Sequence, residues 1–176
     1  MHAFINRMAL RNSVNAALQR AGVYANGVDS RLKREFKERA KAWLVDFAAE
    51  YDRTTISEDA WCEAIGCLSQ ALATDFGPYL RDGRVKVGVS QKMISLYLKY
   101  CWLLGEAKMK PLFAVVDRGV MQTAGVENPP NWTQLDDREE YLRIVRALDA
   151  FAKSEGHIDG ASWEAEEWSD ADEEEA

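Results

Sequence analysis

The stretch Gly88–Trp102, GVSQKMISLYLKYCW, decides between two kinds of protein. Its first half has the pattern of a helix-turn-helix DNA reader, with a glycine, an apolar residue, a polar cap and an apolar anchor six positions after the glycine. In that interpretation Gln91, Lys92 and Ser95 face the DNA groove. Its second half is apolar at nearly every position, which is typical of a helix buried on almost all sides.

The neighbouring sequence favours the buried helix. A helix-turn-helix unit needs a positioning helix just before the turn, but residues 81–87, RDGRVKV, combine Asp-Gly with alternating valines, a pattern that disfavours a helix. We therefore predict a central, buried helix over about residues 91–105. Ser90 is expected to cap this helix and Gly105 to end it.

A thin polar stripe of Lys92, Ser95 and Lys99 interrupts this apolar helix, and the three residues fall within about 60° around its axis. An unpaired buried ammonium group is costly, so the two lysines must reach solvent, pair with acids or face a cavity. One alternative is a narrow solvent-facing strip with snorkelling lysines. The other is a pocket for an anion or small ligand. The further candidate residues of that pocket are Tyr97, Trp102, Asp117, Arg118 and Trp132.

Helical periodicity dominates the rest of the chain, and only residues 79–89, YLRDGRVKVGV, resemble a strand. Asp136 and Glu139 form a capping-box pattern for a helix over about 137–155, and Ser162 is expected to cap a last short helix. The predicted fold is all-α, a single compact bundle-like domain over residues 1–168 with at most one short β hairpin. This domain is expected to contain five to seven helices. Besides the helices already described, the sequence predicts helices over residues 3–21 and 29–52, a helix that Ser57 caps and Gly77-Pro78 ends, and a short helix capped by Asp117.

Charge is distributed unevenly along the chain. The net charge of the whole chain is −7, but residues 153–176 carry one lysine against ten acidic residues. Residues 1–53 carry ten Lys/Arg against six Asp/Glu. We expect residues 169–176, SDADEEEA, to form a disordered acidic tail.

The sequence lacks the residues that several kinds of catalytic and metal-binding site require. The only histidines are His2 and His157, near the two ends, which argues against a zinc site or a histidine-based catalytic triad. No phosphate-binding glycine loop or nucleophile elbow is present. We therefore expect no metal, no cofactor and no enzymatic activity. Three cysteines in apolar helical surroundings, without a secretory signal or a membrane-spanning run, indicate reduced core thiols and a cytoplasmic location.

Residues 86–168 resemble an uncharacterised family of small bacterial and phage helical proteins. The resemblance depends on the central helix with its Gln91-Lys92 pair, on the segments PLFAVVDR and NWTQLDDREEYL, and on the terminal Trp163 to Trp168 pair. It implies a bacterial or phage origin and no catalytic residues.

The leading hypothesis is a non-enzymatic binding protein that acts on a macromolecular partner, most simply another protein. Solvent exposure of tryptophans among Trp132, Trp163 and Trp168 would support this hypothesis, because Trp is common at binding hot spots. One alternative is a nucleic-acid-binding regulator that uses Gln91, Lys92 and Ser95. The other alternative is a small-ligand or anion-binding protein built around Lys99 and Arg118. The oligomeric state stays open.

Overall fold

The computed structural model describes residues 2–170, and the side chains of residues 4–167. These residues contain seven α-helices, a 3₁₀ helix at Gly77–Tyr79 and an isolated antiparallel bridge between Tyr24 and Leu80, but no β-strand. The all-α prediction is confirmed. The helices are α1 (His2–Leu18), α2 (Ser30–Tyr51), α3 (Glu58–Phe76), α4 (Val87–Leu103), α5 (Arg118–Thr123), α6 (Arg138–Ser154) and α7 (Gly160–Asp170).

Helix α4 is the central element, as its sequence predicts. It packs against α1, α2, α3 and α6, and most of its side chains are buried, including the polar residues Gln91, Ser95 and Lys99. Because neighbours cover it on nearly every side, a helix without a continuous polar face is stable there. It ends as expected, with Gly105 in the left-handed region at φ +70°.

Helix α4 begins four residues before the predicted start because tertiary contacts recruit the valine-rich segment into the helix. The Gly88 N–H donates to the Leu135 carbonyl oxygen at 2.8 Å. A Cβ atom at Gly88 would lie 1.8 Å from the Trp132 carbonyl oxygen, so only glycine allows this loop to approach. The predicted Ser90 cap is wrong, since Ser90 is buried inside the helix and its hydroxyl has no partner among the described residues.

The predicted capping box of α6 is also displaced. Asp137, not Asp136, caps α6 by accepting from the Glu140 N–H at 2.7 Å. Asp136 turns instead to the first turn of α4, where it accepts from the Val87 N–H at 3.3 Å and pairs with Arg84 at 2.5 Å. One carboxylate therefore connects the starts of two helices that lie far apart in the chain.

Other helix starts follow their local sequence. Ser57 accepts from the Ala60 N–H at 3.2 Å, and Asp117 accepts from the Val120 N–H at 3.1 Å, as predicted. The predicted Ser162 cap of α7 is wrong, because Asp159 accepts from the Ser162 N–H at 3.0 Å and so caps this helix.

One continuous buried cluster draws side chains from all seven helices and from segment 112–117, which precedes α5. Inside it the Trp61 indole donates to the Tyr141 hydroxyl at 2.8 Å. The expectation of core thiols holds for Cys101, but Cys67 is exposed. The predicted acidic tail at 169–176 falls mostly outside the described residues, and so does the side chain of Trp168.

Candidate functional site

The polar stripe of α4 faces the protein interior. The fully buried Gln91 amide donates to the Gly88 and Val116 carbonyl oxygens at 2.9 and 2.7 Å, and its oxygen accepts from the Val116 N–H at 3.2 Å. Segment 112–117 has no regular secondary structure and no partner strand among the described residues. Gln91 therefore supplies hydrogen bonds that a sheet would otherwise provide.

Lys99 forms the most deeply buried ion pair of the described chain. Its ammonium lies 2.5 Å from Glu164 Oε1, and the two side chains are 8% and 3% exposed. The other oxygen of Glu164 accepts from the Val115 N–H at 3.0 Å. The pair therefore joins α4, α7 and segment 112–117. Lys99 is therefore almost completely enclosed.

Lys92 lies closer to the surface and is also engaged. Its ammonium is 3.0 Å from Asp117 Oδ2 and 4.4 Å from the centroid of the Trp132 ring. This cation–π contact holds the indole against α4. Ser95 is fully buried, and its hydroxyl has no partner among the described residues.

These positions contradict the helix-turn-helix interpretation of α4. Gln91 and Ser95 have no exposed surface, so neither can reach a DNA groove. Gly88 lies within the helix rather than in a turn. Several cations of α2 are occupied as well, since Arg39 pairs with Asp75 and Lys41 with Glu38.

The predicted ligand pocket is only partly assembled. Tyr97 points toward α1, where its hydroxyl donates to Asn6 Oδ1 at 3.3 Å, and Trp102 is half-buried. Arg118 and Trp132 of that set line one cleft, which has a volume of about 420 Å³. We call this the arginine cleft. Its lining residues are Arg20, Arg118, Met121, Gln122, Pro129, Pro130, Asn131, Trp132 and Thr133.

A second surface, a groove of about 660 Å³ between α1 and α2, was not anticipated from the sequence. We call this the α1–α2 groove. Phe4 and Val45 line it and are 59% and 44% exposed. Its remaining lining residues are Arg7, Met8, Leu10, Arg11, Glu38, Lys41, Ala42 and Asp46. The sequence contained one sign of this groove. Phe4 and Met8 are apolar, lie four residues apart and fall outside the core-facing stripe of α1.

Two of the three thiols, Cys62 and Cys101, lie in surroundings that disfavour reactivity. Burial raises the pKa of the Cys101 thiol, and burial is also the main cause of the raised pKa at Cys62. Both thiols therefore stay protonated near neutral pH, whereas nucleophilic cysteines need a lowered pKa. Within residues 2–170 no three His, Cys, Asp or Glu side chains are placed to hold a metal ion.

Comparisons with protein families, with curated proteins and with solved structures find no match to this chain. Within the described part of the chain, no helix has the length and apolar character needed to cross a membrane. Function is therefore inferred from the α1–α2 groove and the arginine cleft.

Proposed function

We propose that this protein is a binding protein whose partner is another protein, and that the partner docks an acidic amphipathic helix in the α1–α2 groove. The observation that carries this proposal is the exposure of Phe4 and Val45 at 59% and 44% in a concave surface between two helices. Helix-in-groove recognition uses such a surface, with anchors spaced at one face of the incoming helix.

The apolar contribution comes from side chains that folding leaves in contact with water. Fully burying one Phe or Val side chain is worth about 1.5–3 kcal/mol. Phe4, Met8 and Val45 supply three contacts from two helices, each worth less than this full value because the side chains are already partly buried. Ordering both partners costs several kcal/mol, so these apolar contacts alone give weak binding, and the charged edge of the groove must add to the affinity.

Charge selects the class of partner. Arg7 and Arg11 lie one turn apart on the α1 edge of the groove, and no described residue forms an ion pair with either of them. Residues 1–28 contain no Asp or Glu at all. On the α2 edge Lys41 and Glu38 neutralise each other, and Asp46 adds a negative charge. An incoming helix with acids along the edge that faces α1 complements this arrangement.

Trp132 and Trp163 do not support the binding hypothesis in the way that exposed tryptophans would. Both are buried, and the side chain of Trp168 is outside the described residues. A cytoplasmic location, a bacterial or phage origin and the family resemblance stay predictions.

The proposal is tested by photocrosslinking followed by a measured affinity. A Val45→p-benzoylphenylalanine variant is irradiated in the native cells, and the crosslinked segment of the partner is then made as a labelled peptide. Fluorescence anisotropy is expected to give saturable binding that Val45→Asp weakens about 10-fold or more, because a buried carboxylate replaces an apolar contact. Arg11→Glu is expected to weaken binding most at low salt.

The matched control is Ile158→Asp, an apolar-to-acid change at a residue that is 79% exposed outside the groove. This variant is expected to bind the peptide like the wild type. Equal binding by Val45→Asp, or a crosslinked segment without acidic residues beside an apolar stripe, contradicts the proposal.

A further inference from the structure

We propose that the arginine cleft is a binding site for a small organic phosphate, a phosphate monoester carried on a compact organic body. The cleft is separate from the α1–α2 groove, so this inference does not rest on the proposed function. The inference depends on two arginines without ion-pair partners among the described residues, Arg20 and Arg118. They lie 98 positions apart in the chain but line the same cleft.

The two guanidinium groups are free to bind an anion. Arg20 and Arg118 are both exposed, and neither forms a hydrogen bond or an ion pair with any described residue. No acid among the described residues lines the cleft. Two like charges that share one concave site gain from a shared anion, and the planar fork of arginine matches phosphate oxygens in two-point contacts.

The nearest carboxylate does not neutralise this site. Asp117 directly precedes Arg118, but its two oxygens are already engaged. One oxygen pairs with Lys92 at 3.0 Å, and the other accepts from the Val120 N–H at 3.1 Å. Asp117 therefore does not neutralise the positive charge of Arg118, which remains available to an anion in the cleft.

The remaining walls suit the body of the ligand. Pro129 and Pro130 provide most of the exposed apolar surface, with the largely buried Met121 and Trp132 behind them, and the cleft volume of about 420 Å³ matches that of small-molecule sites, about 300–1,000 Å³. Lys92 lies 4.4 Å from the Trp132 ring and fixes its position from beneath. The wall is therefore already formed before a ligand binds.

Polar groups on the rim can orient that body. The side-chain oxygen Oδ1 of Asn131 accepts from the Thr133 N–H and hydroxyl at 3.2 and 2.9 Å, which holds the loop in place. The Asn131 amide N–H groups and the Gln122 side chain form no hydrogen bond to other described residues and can donate to hydroxyl or carbonyl oxygens of a ligand.

Isothermal titration calorimetry on the full chain tests this site with three probes: adenosine 5′-monophosphate, uridine 5′-monophosphate and 4-nitrophenyl phosphate. At least one probe is expected to bind at a single site. Arg20→Gln and Arg118→Gln are each expected to weaken that binding about 10-fold or more, because each removes charge-assisted hydrogen bonds. Arg34→Gln, at an exposed α2 arginine without a partner among the described residues, is the matched control and is expected to bind normally.

Four outcomes overturn the inference. They are absence of saturable binding by all three probes up to about 10 mM, equal binding by the Arg20 and Arg118 variants, inorganic phosphate binding as tightly as the organic phosphates, and duplex DNA displacing the probe with a steep salt dependence. The last outcome assigns the cleft to a nucleic-acid backbone. The groove variant Val45→Asp is expected to bind the probes like the wild type, so failure here is distinguishable from failure of the proposed function.

Discussion

Removing the positive partner of the Lys99–Glu164 pair is expected to destabilise the fold strongly. In Lys99→Met the side chain keeps nearly its length and its packing, but the Glu164 carboxylate, 3% exposed, loses its counter-charge. Breaking one side of a buried ion pair typically costs about 3–5 kcal/mol. The Val115 N–H still donates to Glu164, which keeps the expected loss within this range.

The mechanism can be separated from simple loss of contact by a double-mutant cycle. In Lys99→Met/Glu164→Gln no buried charge remains, and the amide oxygen can still accept from the Val115 N–H. We expect this double variant to be more stable than Lys99→Met by about 1–3 kcal/mol. Urea unfolding followed by circular dichroism gives the free energy of unfolding of each variant.

A surface pair provides the control. Arg39 and Asp75 form an ion pair at 2.8 Å with both side chains 43% exposed. Arg39→Met is expected to cost only about 0.2–1 kcal/mol, as exposed pairs do. A loss below about 1 kcal/mol for Lys99→Met, or a double variant no more stable than the single one, refutes the reasoning that a stranded buried charge dominates.

Two further predictions concern the close packing of a loop against Gly88 and the pH dependence of stability that Asp149 causes. Gly88→Ala is expected to lower the free energy of unfolding by at least about 1–3 kcal/mol, because its Cβ would lie 1.8 Å from the Trp132 carbonyl oxygen. Gly66→Ala, in α3 with nothing within 4 Å, is expected to stabilise by up to about 1 kcal/mol in the same urea assay. Burial raises the pKa of the Asp149 carboxyl, which accepts from the Gly160 N–H at 2.8 Å. The folded state therefore binds this proton more readily than the unfolded state, and Asp149 favours folding less as pH rises through its folded pKa. Asp149→Asn keeps an acceptor without the charge, so thermal melts are expected to show higher stability near pH 7 and no gain below about pH 4; a gain independent of pH contradicts this.

Local sequence was sufficient wherever a structure depends on neighbouring residues. Ser57 and Asp117 cap helices because their side chains reach N–H groups three residues on, and Gly105 ends α4 because only glycine adopts its φ without strain. The apolar character of α4 on nearly every side also predicted its central position. These features need no information about distant parts of the chain.

Local sequence was insufficient where two equivalent residues compete. Asp136 and Asp137 are adjacent and chemically identical, and a helix start predicted from sequence is uncertain by a residue or two. Asp137 became the cap of α6 because Asp136 is held by Arg84 and the Val87 N–H. Those partners lie about fifty positions earlier in the chain, beyond any local pattern.

The sequence by itself therefore determined the helical class of this protein, most helix positions and the burial of α4. Tertiary structure alone decided the partners of the polar stripe, since Glu164 meets Lys99 from α7 and Asp117 meets Lys92 from the start of α5. It also decided both candidate surfaces, because Arg20 with Arg118 and Phe4 with Val45 come together only after the chain has folded. The physical reason is range: periodicity and capping act over one or two helical turns, whereas an ion pair or a cleft requires groups from opposite ends of the chain at the same place.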